Sequence, residues 1–295
     1  MADLLSRLET KLGALQYRAL QQGLRKVARV RRGHVQAGPW RVPYLTGGTG
    51  PVLLLIHGFG DRKETWLPLM ARLHRKFTLV APDLIGFGEG PSVDSQHVRP
   101  REQAQTLVDM MTKLRLGPVH IVGQSMGAMI ANYIALAYPE RCASLTLVAP
   151  AGPKGLAPEF RTHMMIHGNP LMVRDLSDFN RLLKLSMAKA PPYPRTLRRY
   201  LSTQWSARRQ ELERHFEVLD GLEEQDLRPS ALPELTPRSL CVVGEHERVT
   251  HRDNTEAYQQ WLHNLRVEML PGVGHNPHHE ATSRLAGLIS EHARR

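Results

Sequence analysis

The sequence predicts an α/β fold: a mostly parallel, eight-stranded sheet flanked by helices, with an all-helical segment inserted after the sixth strand. Three observations lead there. Short continuous apolar runs, such as VLLLIHG at 52–58 and VHIVGQS at 119–125, have the length and composition of parallel strands buried on both faces. These runs alternate with stretches of helical period, the pattern of successive βαβ units. The alternation stops at Pro150 and resumes only with SLCVVGE at 239–245.

Taken in chain order, residues 1–33 carry eight Lys or Arg against Asp3 and Glu9, which is +6 of the net +11. Leu4, Leu8, Leu12, Leu15, Leu20, Leu24 and Val27 recur there at the spacing of one helix face. A basic amphipathic helix of this kind can rest on an anionic membrane surface, or pack its apolar face on the main domain or on a second subunit. HVQAG and WRVPYL then read as two short strands, and GGTGP (47–51) as a tight connection to the buried strand VLLLIHG. From there ETWLPLMARLH is helical, FTLVAPD a strand, REQAQTLVDMMTKLRL a helix, VHIVGQS a strand, MGAMIANYIALAYP a helix and LTLVAP the sixth strand. Residues 151–234 show no convincing strand and contain two amphipathic helical patterns, SDFNRLLKLSMAK and RRQELERHFEVLDGL. The remainder reads as SLCVVGE (strand), DNTEAYQQWLHN (helix), RVEMLPG (strand) and HEATSRLAGLISEHA (closing helix). The expected organisation is an amphipathic segment at 1–32, an α/β core at 33–150 and 235–295, and a helical insertion at 151–234.

Composition removes several classes of function. With 41% hydrophobic and 23% charged residues the chain is a folded globular protein, and no apolar run reaches the roughly 18 residues of a membrane span. The N-terminal stretch lacks a compact apolar run with a small-residue cleavage site, so a cytoplasmic protein is expected, with peripheral contact at a membrane surface left open. Cys142 and Cys241 are too few for a disulfide framework and read as buried hydrophobes. No cofactor is expected. The glycines of GFGEG (86–90) miss the G-x-G-x-x-G spacing and are followed by Pro91, and 47–50 lacks the Lys-Ser/Thr of a phosphate loop. Asp83 and these glycines read as a structural turn. His246, His251, His278 and His279 have no metal-binding spacing, so no metal is expected. The basic charge comes with no recognition motif or aromatic platform, which excludes nucleic acid as the expected partner.

Ligands of open α/β sheets bind beyond the carboxyl ends of the strands, and reactive residue types collect there. Gly123-Gln124-Ser125-Met126-Gly127 is a G-x-S-x-G pattern between a strand and a helix. A strand-to-helix turn that sharp strains the serine backbone, needs glycine two residues to either side, and lifts the hydroxyl clear of the sheet. It also sets the Met126 N–H at a helix start, where an oxyanion can be stabilised. A serine hydroxyl needs a base, and His275 in GVGH follows the last strand, with His278 and His279 close behind. A carboxylate to orient the imidazole is offered by the loop Glu245-His246-Glu247 after the seventh strand.

With HGFG, DLIGFGEG, GQSMGA, SLTLVAPAG and PGVGH in this order, the chain from about residue 33 resembles the α/β-hydrolase family, and within it the monoacylglycerol-lipase-like and esterase members. The resemblance implies the α/β-hydrolase fold with a helical cap, or lid, after strand 6. It implies a triad of Ser125, Glu247 and His275, and an oxyanion hole made of the Phe59 and Met126 N–H groups. Glu247 stands where the family's G-x-x-D-x-V pattern has Asp; Glu245, Asp253 and a carboxylate from after the sixth strand, where Glu159 is the first, are the alternatives. The implied activity is carboxylic ester hydrolysis through an acyl-enzyme on a small-molecule ester, with apolar acyl chains such as those of monoacylglycerols favoured by Met164, Met165, Ile166, Leu171, Met172, Val173, Leu182 and Leu183 in the insertion. A carbon–carbon bond hydrolase on the same fold, and a non-catalytic ligand-binding member, are the alternatives.

Overall fold

The protein is described by a computed structural model over residues 2–294. Helix α1 (Ala2–Ala28) leads into an antiparallel pair, β1 (Val30–Ala37) and β2 (Trp40–Gly48). β3 (Val52–Ile56), α2 (Leu67–Leu73), β4 (Thr78–Pro82), α3 (Pro100–Lys113), β5 (Val119–Gln124), α4 (Met126–Ala137) and β6 (Cys142–Val148) follow. Four helices, α5 (Pro158–His167), α6 (Leu176–Ser186), α7 (Arg195–Ala207) and α8 (Arg209–Asp220), fill the chain before β7 (Ser239–Gly244). α9 (Asn254–Trp261), β8 (Leu265–Leu270), α10 (Pro277–Glu280) and α11 (Thr282–Arg294) complete it.

The sheet has eight strands in the order β1-β2-β4-β3-β5-β6-β7-β8. β1, β2 and β4 pair antiparallel and every pairing from β4 through β8 is parallel. β5 therefore lies inside the sheet, bonded to β3 on one side and β6 on the other. Alternate residues of the buried strands feed two apolar layers. Leu54, Ile56, Val80 and Ile121 pack with Leu107 and Met110 of α3 and Ile130 of α4, while Leu53, Leu55, Leu79 and Val122 pack with Met70 of α2 and Ile289 of α11. Cys142 and Cys241 are free and buried, and burial pushes both thiols up to about 12.

The structure departs from the sequence reading in three places. The amphipathic segment, expected to run to residue 32, ends as helix at Ala28; Arg29 turns with φ 52, and residues 30–32 already pair with Gly47, Thr46 and Leu45. Gly47 permits this, since a Cβ there would sit 2.2 Å from the Arg29 carbonyl oxygen. Helices α5 and α7 are absent from the sequence reading of the insertion; α5 has no clear apolar stripe, whereas α7 carries Leu197, Tyr200, Leu201 and Trp205 at helical spacing. α7 buries Leu197 and Ser202, and turns Tyr200 and the polar groups of Thr196 and Arg199 to α1. The closing helix is broken at Ala281 (φ −135, ψ 40) into α10 and α11.

Asp83, read as part of a turn, proves to anchor a buried charge cluster beside the strand ends. The fully buried Lys63 ammonium donates to Asp83 Oδ2 at 2.6 Å and Glu89 Oε2 at 2.9 Å, and the Lys63 N–H donates to Asp83 Oδ1 at 2.7 Å. Burial alone would lower the Lys63 pKa, but the surrounding carboxylates outweigh it and hold the ammonium above its usual range. Removing one member of such a buried pair strands the other charge. Lys63→Met is expected to lower unfolding free energy by about 3–5 kcal/mol in urea titrations; a loss under about 1 kcal/mol would contradict a stabilising role for the cluster.

Candidate active site

β5 passes directly into α4 with Ser125 as the sole linking residue, at φ 54 and ψ −118. A β-carbon in that region costs on the order of 1–3 kcal/mol and persists only where neighbours fix the backbone. They do so here. The Ser125 N–H donates to the Val148 carbonyl at 2.9 Å, and its own carbonyl accepts from Ala128 at 2.9 Å and Ala151 at 3.2 Å. The flanking glycines make the turn sterically possible: a Cβ on Gly123 would lie 2.2 Å from the Gly127 oxygen, and one on Gly127 2.3 Å from the Ile56 oxygen.

His275 follows β8, and its Nδ1 lies 2.8 Å from Glu247 Oε2. Glu247 is buried, which opposes ionisation. The adjacent His275 and the N–H groups of Val249 (2.7 Å) and Thr250 (3.1 Å) outweigh burial and hold the carboxyl below its ordinary range. An ionised carboxylate can only accept, so Nδ1 carries a proton, which in the neutral ring leaves the lone pair on Nε2. Of the other carboxylates considered from sequence, Glu245 accepts from the Gly272 N–H at 2.8 Å and Asp253 stands exposed beside His251, 3.7 Å away. His278 and His279 both bond the Thr65 hydroxyl, at 3.1 and 2.9 Å.

Two backbone amides complete the arrangement. The Met126 N–H opens α4, where helix amides lack intrahelical acceptors. The Phe59 N–H belongs to the Gly58–Phe59 peptide, and its direction is fixed from the opposite side. The Leu84 N–H donates to His57 Nε2 at 3.1 Å, so His57 Nδ1–H donates to the Gly58 carbonyl at 2.9 Å. In a trans peptide the next N–H points away from that carbonyl. Complete burial lowers the His57 pKa against the pull of Asp83, which keeps the ring neutral for this role. Among the described residues neither the Phe59 nor the Met126 amide donates to a backbone acceptor.

Several positioning residues escaped the sequence reading. Gln124 is buried, and its Nε2 donates to the His275 carbonyl at 3.2 Å, tying the residue before Ser125 to the histidine loop. The His275 N–H donates to Ser186 at the end of α6 at 2.8 Å. The Glu280 carboxylate accepts from the N–H groups of Gly274, Asn276, Ala188 and Lys189, and so clamps that loop to the chain after α6. These are polar side chains at unremarkable spacings, and only the folded chain brings their partners near.

Ser125, His275, Phe59 and Met126 line one cavity of about 670 Å³, within the range of small-molecule sites. Its walls are largely apolar: Leu171, Phe179, Leu182, Leu183 and Met187 from around α6, Leu201 and Trp205 from α7, Phe216 from α8, and Tyr17, Leu20 and Leu24 from α1. The apolar residues singled out in the insertion divide. Leu171, Leu182 and Leu183 reach the cavity, Met172 and Val173 are buried in packing, and Met165 and Ile166 are 80% and 66% exposed. Among the described residues no group of His, Cys, Asp and Glu is arranged to hold a metal.

Residues 53–288 match the model of the Alpha/beta hydrolase family. The chain is 30% identical to Lipase 3 of Moraxella sp. (strain TA144) over 247 residues, covering 81% of this chain and 76% of that protein. It is 36% identical to Monoacylglycerol lipase ABHD6 of Homo sapiens over 113 residues, 36% of this chain and 32% of that one. Among solved structures it is similar to a membrane phospholipase A described as a bacterial virulence factor, with a TM-score of 0.84 and 28% identity, over 100% of this chain and 95% of the other.

The depressed Glu247 pKa carries a signature. A carboxyl whose folded value lies below its ordinary value near 4.5 stabilises the native state fully above that value and loses the contribution as pH falls through the depressed one. The stability advantage of wild type over Glu247→Gln is therefore expected to be largest near neutral pH and to shrink below about pH 4.5. A gap unchanged between neutral and strongly acidic pH, measured by denaturant unfolding, would contradict it.

Proposed function

We propose that this chain, which belongs to the alpha/beta hydrolase family, hydrolyses carboxylic esters with apolar acyl chains, monoacylglycerols among them, through an acyl-enzyme on Ser125. The observation that carries the reading is the pairing of two features in one cavity: a serine at φ 54 on the end of an inner strand, and a histidine whose Nδ1 is held by a buried carboxylate at 2.8 Å.

In this mechanism Ser125 Oγ attacks the ester carbonyl carbon while His275 Nε2 takes its proton. Glu247 holds the imidazole in the required tautomer and offsets its charge. The negative oxygen of the tetrahedral intermediate is stabilised by the Phe59 and Met126 N–H groups, each such donor contributing about 3–4 kcal/mol to lowering the barrier. His275 then gives the proton to the leaving alkoxide, which departs as the alcohol. A water molecule, deprotonated by the same imidazole, attacks the acyl carbonyl; collapse of this second intermediate breaks the bond to Ser125 Oγ, which takes the proton back from His275, and the acid leaves. Residues 151–234 act as the cap over the core formed by 33–150 and 235–295, and supply much of the acyl-binding wall. The apolar wall and the similarity to proteins named lipases support an acyl-chain substrate. Esters of this class reside in lipid phases, and the reading includes contact of the N-terminal helix with a membrane surface.

A fluorophosphonate probe is expected to label wild type and not Ser125→Ala; absence of labelling on folded wild type would favour a ligand-binding protein. With p-nitrophenyl esters and monoacylglycerols of increasing chain length, Glu247→Gln is expected to lower kcat by about two to four orders of magnitude with little change in KM. A variant as active as wild type removes Glu247 from the mechanism, and turnover of a diketone in place of every ester would replace the reaction with carbon–carbon cleavage.

A further inference from the structure

We infer that α1 is an in-plane docking helix for an anionic lipid bilayer, inserting a leucine stripe beside the mouth of the cavity so that ester substrate enters from the bilayer. Docking stands on the geometry of α1 alone; delivery of substrate rests on the ester-hydrolase reading.

The first half of the helix sits on α7 through polar groups, and further along Tyr17 meets Tyr200 while Leu24 and Ala28 pack on the core. Glu9 is held by Arg195 and Arg199, Gln16 Oε1 accepts from the Thr196 hydroxyl at 2.7 Å, and Ser6 Oγ from Arg199 at 3.2 Å. Gly13 marks the closest approach, since a Cβ there would lie 2.1 Å from the Thr196 oxygen. This seat fixes the rotation of the helix. Leu5, Leu8, Leu12 and Leu15 are consequently 58%, 53%, 49% and 61% exposed, and at 100° per residue they fall within an arc of about 80°. A surface helix ordinarily turns such a stripe to the core; here it is turned away.

Charge selects the occupant. Arg7, Lys11 and Arg18 are exposed and fall along one border of the leucine stripe. Among the described side chains of α1 the single carboxylate, Glu9, is turned inward. The outer face is therefore apolar and cationic, which suits acyl chains beneath anionic headgroups. A second copy of the same face would bring like charges together. The helix is also too polar to cross a membrane: among the described residues no helix is long and apolar enough. Lying in the interface remains, and it joins the cavity directly. Tyr17, Leu20 and Leu24 line the cavity wall, and Leu20 is 45% exposed at the same time, so one side chain borders both the cavity and the outside.

The test uses the full chain with vesicles of phosphatidylcholine alone and of phosphatidylcholine with one-third phosphatidylglycerol, in co-sedimentation at low and high salt. Wild type is expected to bind the anionic vesicles, less at high salt. The triple variant Leu8→Gln, Leu12→Gln, Leu15→Gln is expected to bind at least about tenfold more weakly. All three leucines point outward, so its melting temperature and its turnover of dissolved p-nitrophenyl butyrate should match wild type, while hydrolysis of monoacylglycerol presented in vesicles falls with binding. The inference is overturned if wild type stays in the supernatant with both vesicles or if the triple variant binds as well as wild type. It is overturned equally if the leucine changes convert a dimer into a monomer and leave vesicle binding unchanged, since the stripe would then be a self-association face. Vesicle binding without hydrolysis of any ester would support docking and reject the hydrolase reading.

Discussion

The backbone at Ser125, bent to φ 54 between the last residue of β5 and the first of α4, is the constraint on which the cavity is organised. A strand and a helix joined without a loop can keep both their hydrogen-bond patterns only if one residue absorbs the whole change of direction. The sheet supplies the stiffness. β5 is bonded on both sides, and the Val148 carbonyl holds the Ser125 N–H, so strain at one residue is spread over a wide, buried framework. Glycine at 123 and 127 is then a steric requirement, because backbone oxygens occupy the space any β-carbon would need.

From that fixed point the other groups are located by polar contacts between elements distant in sequence. Gln124, adjacent to Ser125, reaches the His275 carbonyl; Glu280 gathers the N–H groups of the histidine loop and of the chain after α6; His57 sets the direction of the Phe59 amide from behind. Each contact is an ordinary hydrogen bond of about 1 kcal/mol net. Their value to the proposed chemistry is positional, since reacting groups held in place need no reorganisation as charge develops. The buried cluster of Lys63, Asp83 and Glu89 braces the ends of these same strands and supplies no reactive group to the cavity.

Helix α1 obeys a different logic. Its first turns are seated by Ser6, Glu9, Gly13 and Gln16, residues a hydrophobicity pattern would assign to solvent, while Leu5, Leu8, Leu12 and Leu15 face outward. The same helix walls part of the cavity through Tyr17 and Leu24. A segment that looked like an appendage in sequence is thus continuous with the site, and its outer surface is the broadest exposed run of large apolar side chains along any one described helix.

The sequence by itself determined the sheet and the placement of Ser125 and His275 at its carboxyl edge, because both are written in local signals. Buried parallel strands need unbroken apolar runs, a strand-to-helix elbow needs glycines two residues either side of the serine, and the chain order of Ser125, the Glu245–Glu247 loop and His275 follows from the order of the strands. It also marked α6 and α8, whose apolar faces repeat with helical period. Between Glu245 and Glu247, two residues apart, the family pattern pointed to Glu247, and only the folded loop shows the reason, turning Glu247 to His275 and Glu245 to the Gly272 N–H. Tertiary structure alone decided the orientation of α1, because much of its seat on α7 is made by Ser6, Glu9 and Gln16, and a polar contact face has no periodic signature. Apolar burial is legible along a chain since every such residue seeks the same environment, whereas a hydrogen bond or ion pair depends on one particular partner that only folding brings within reach.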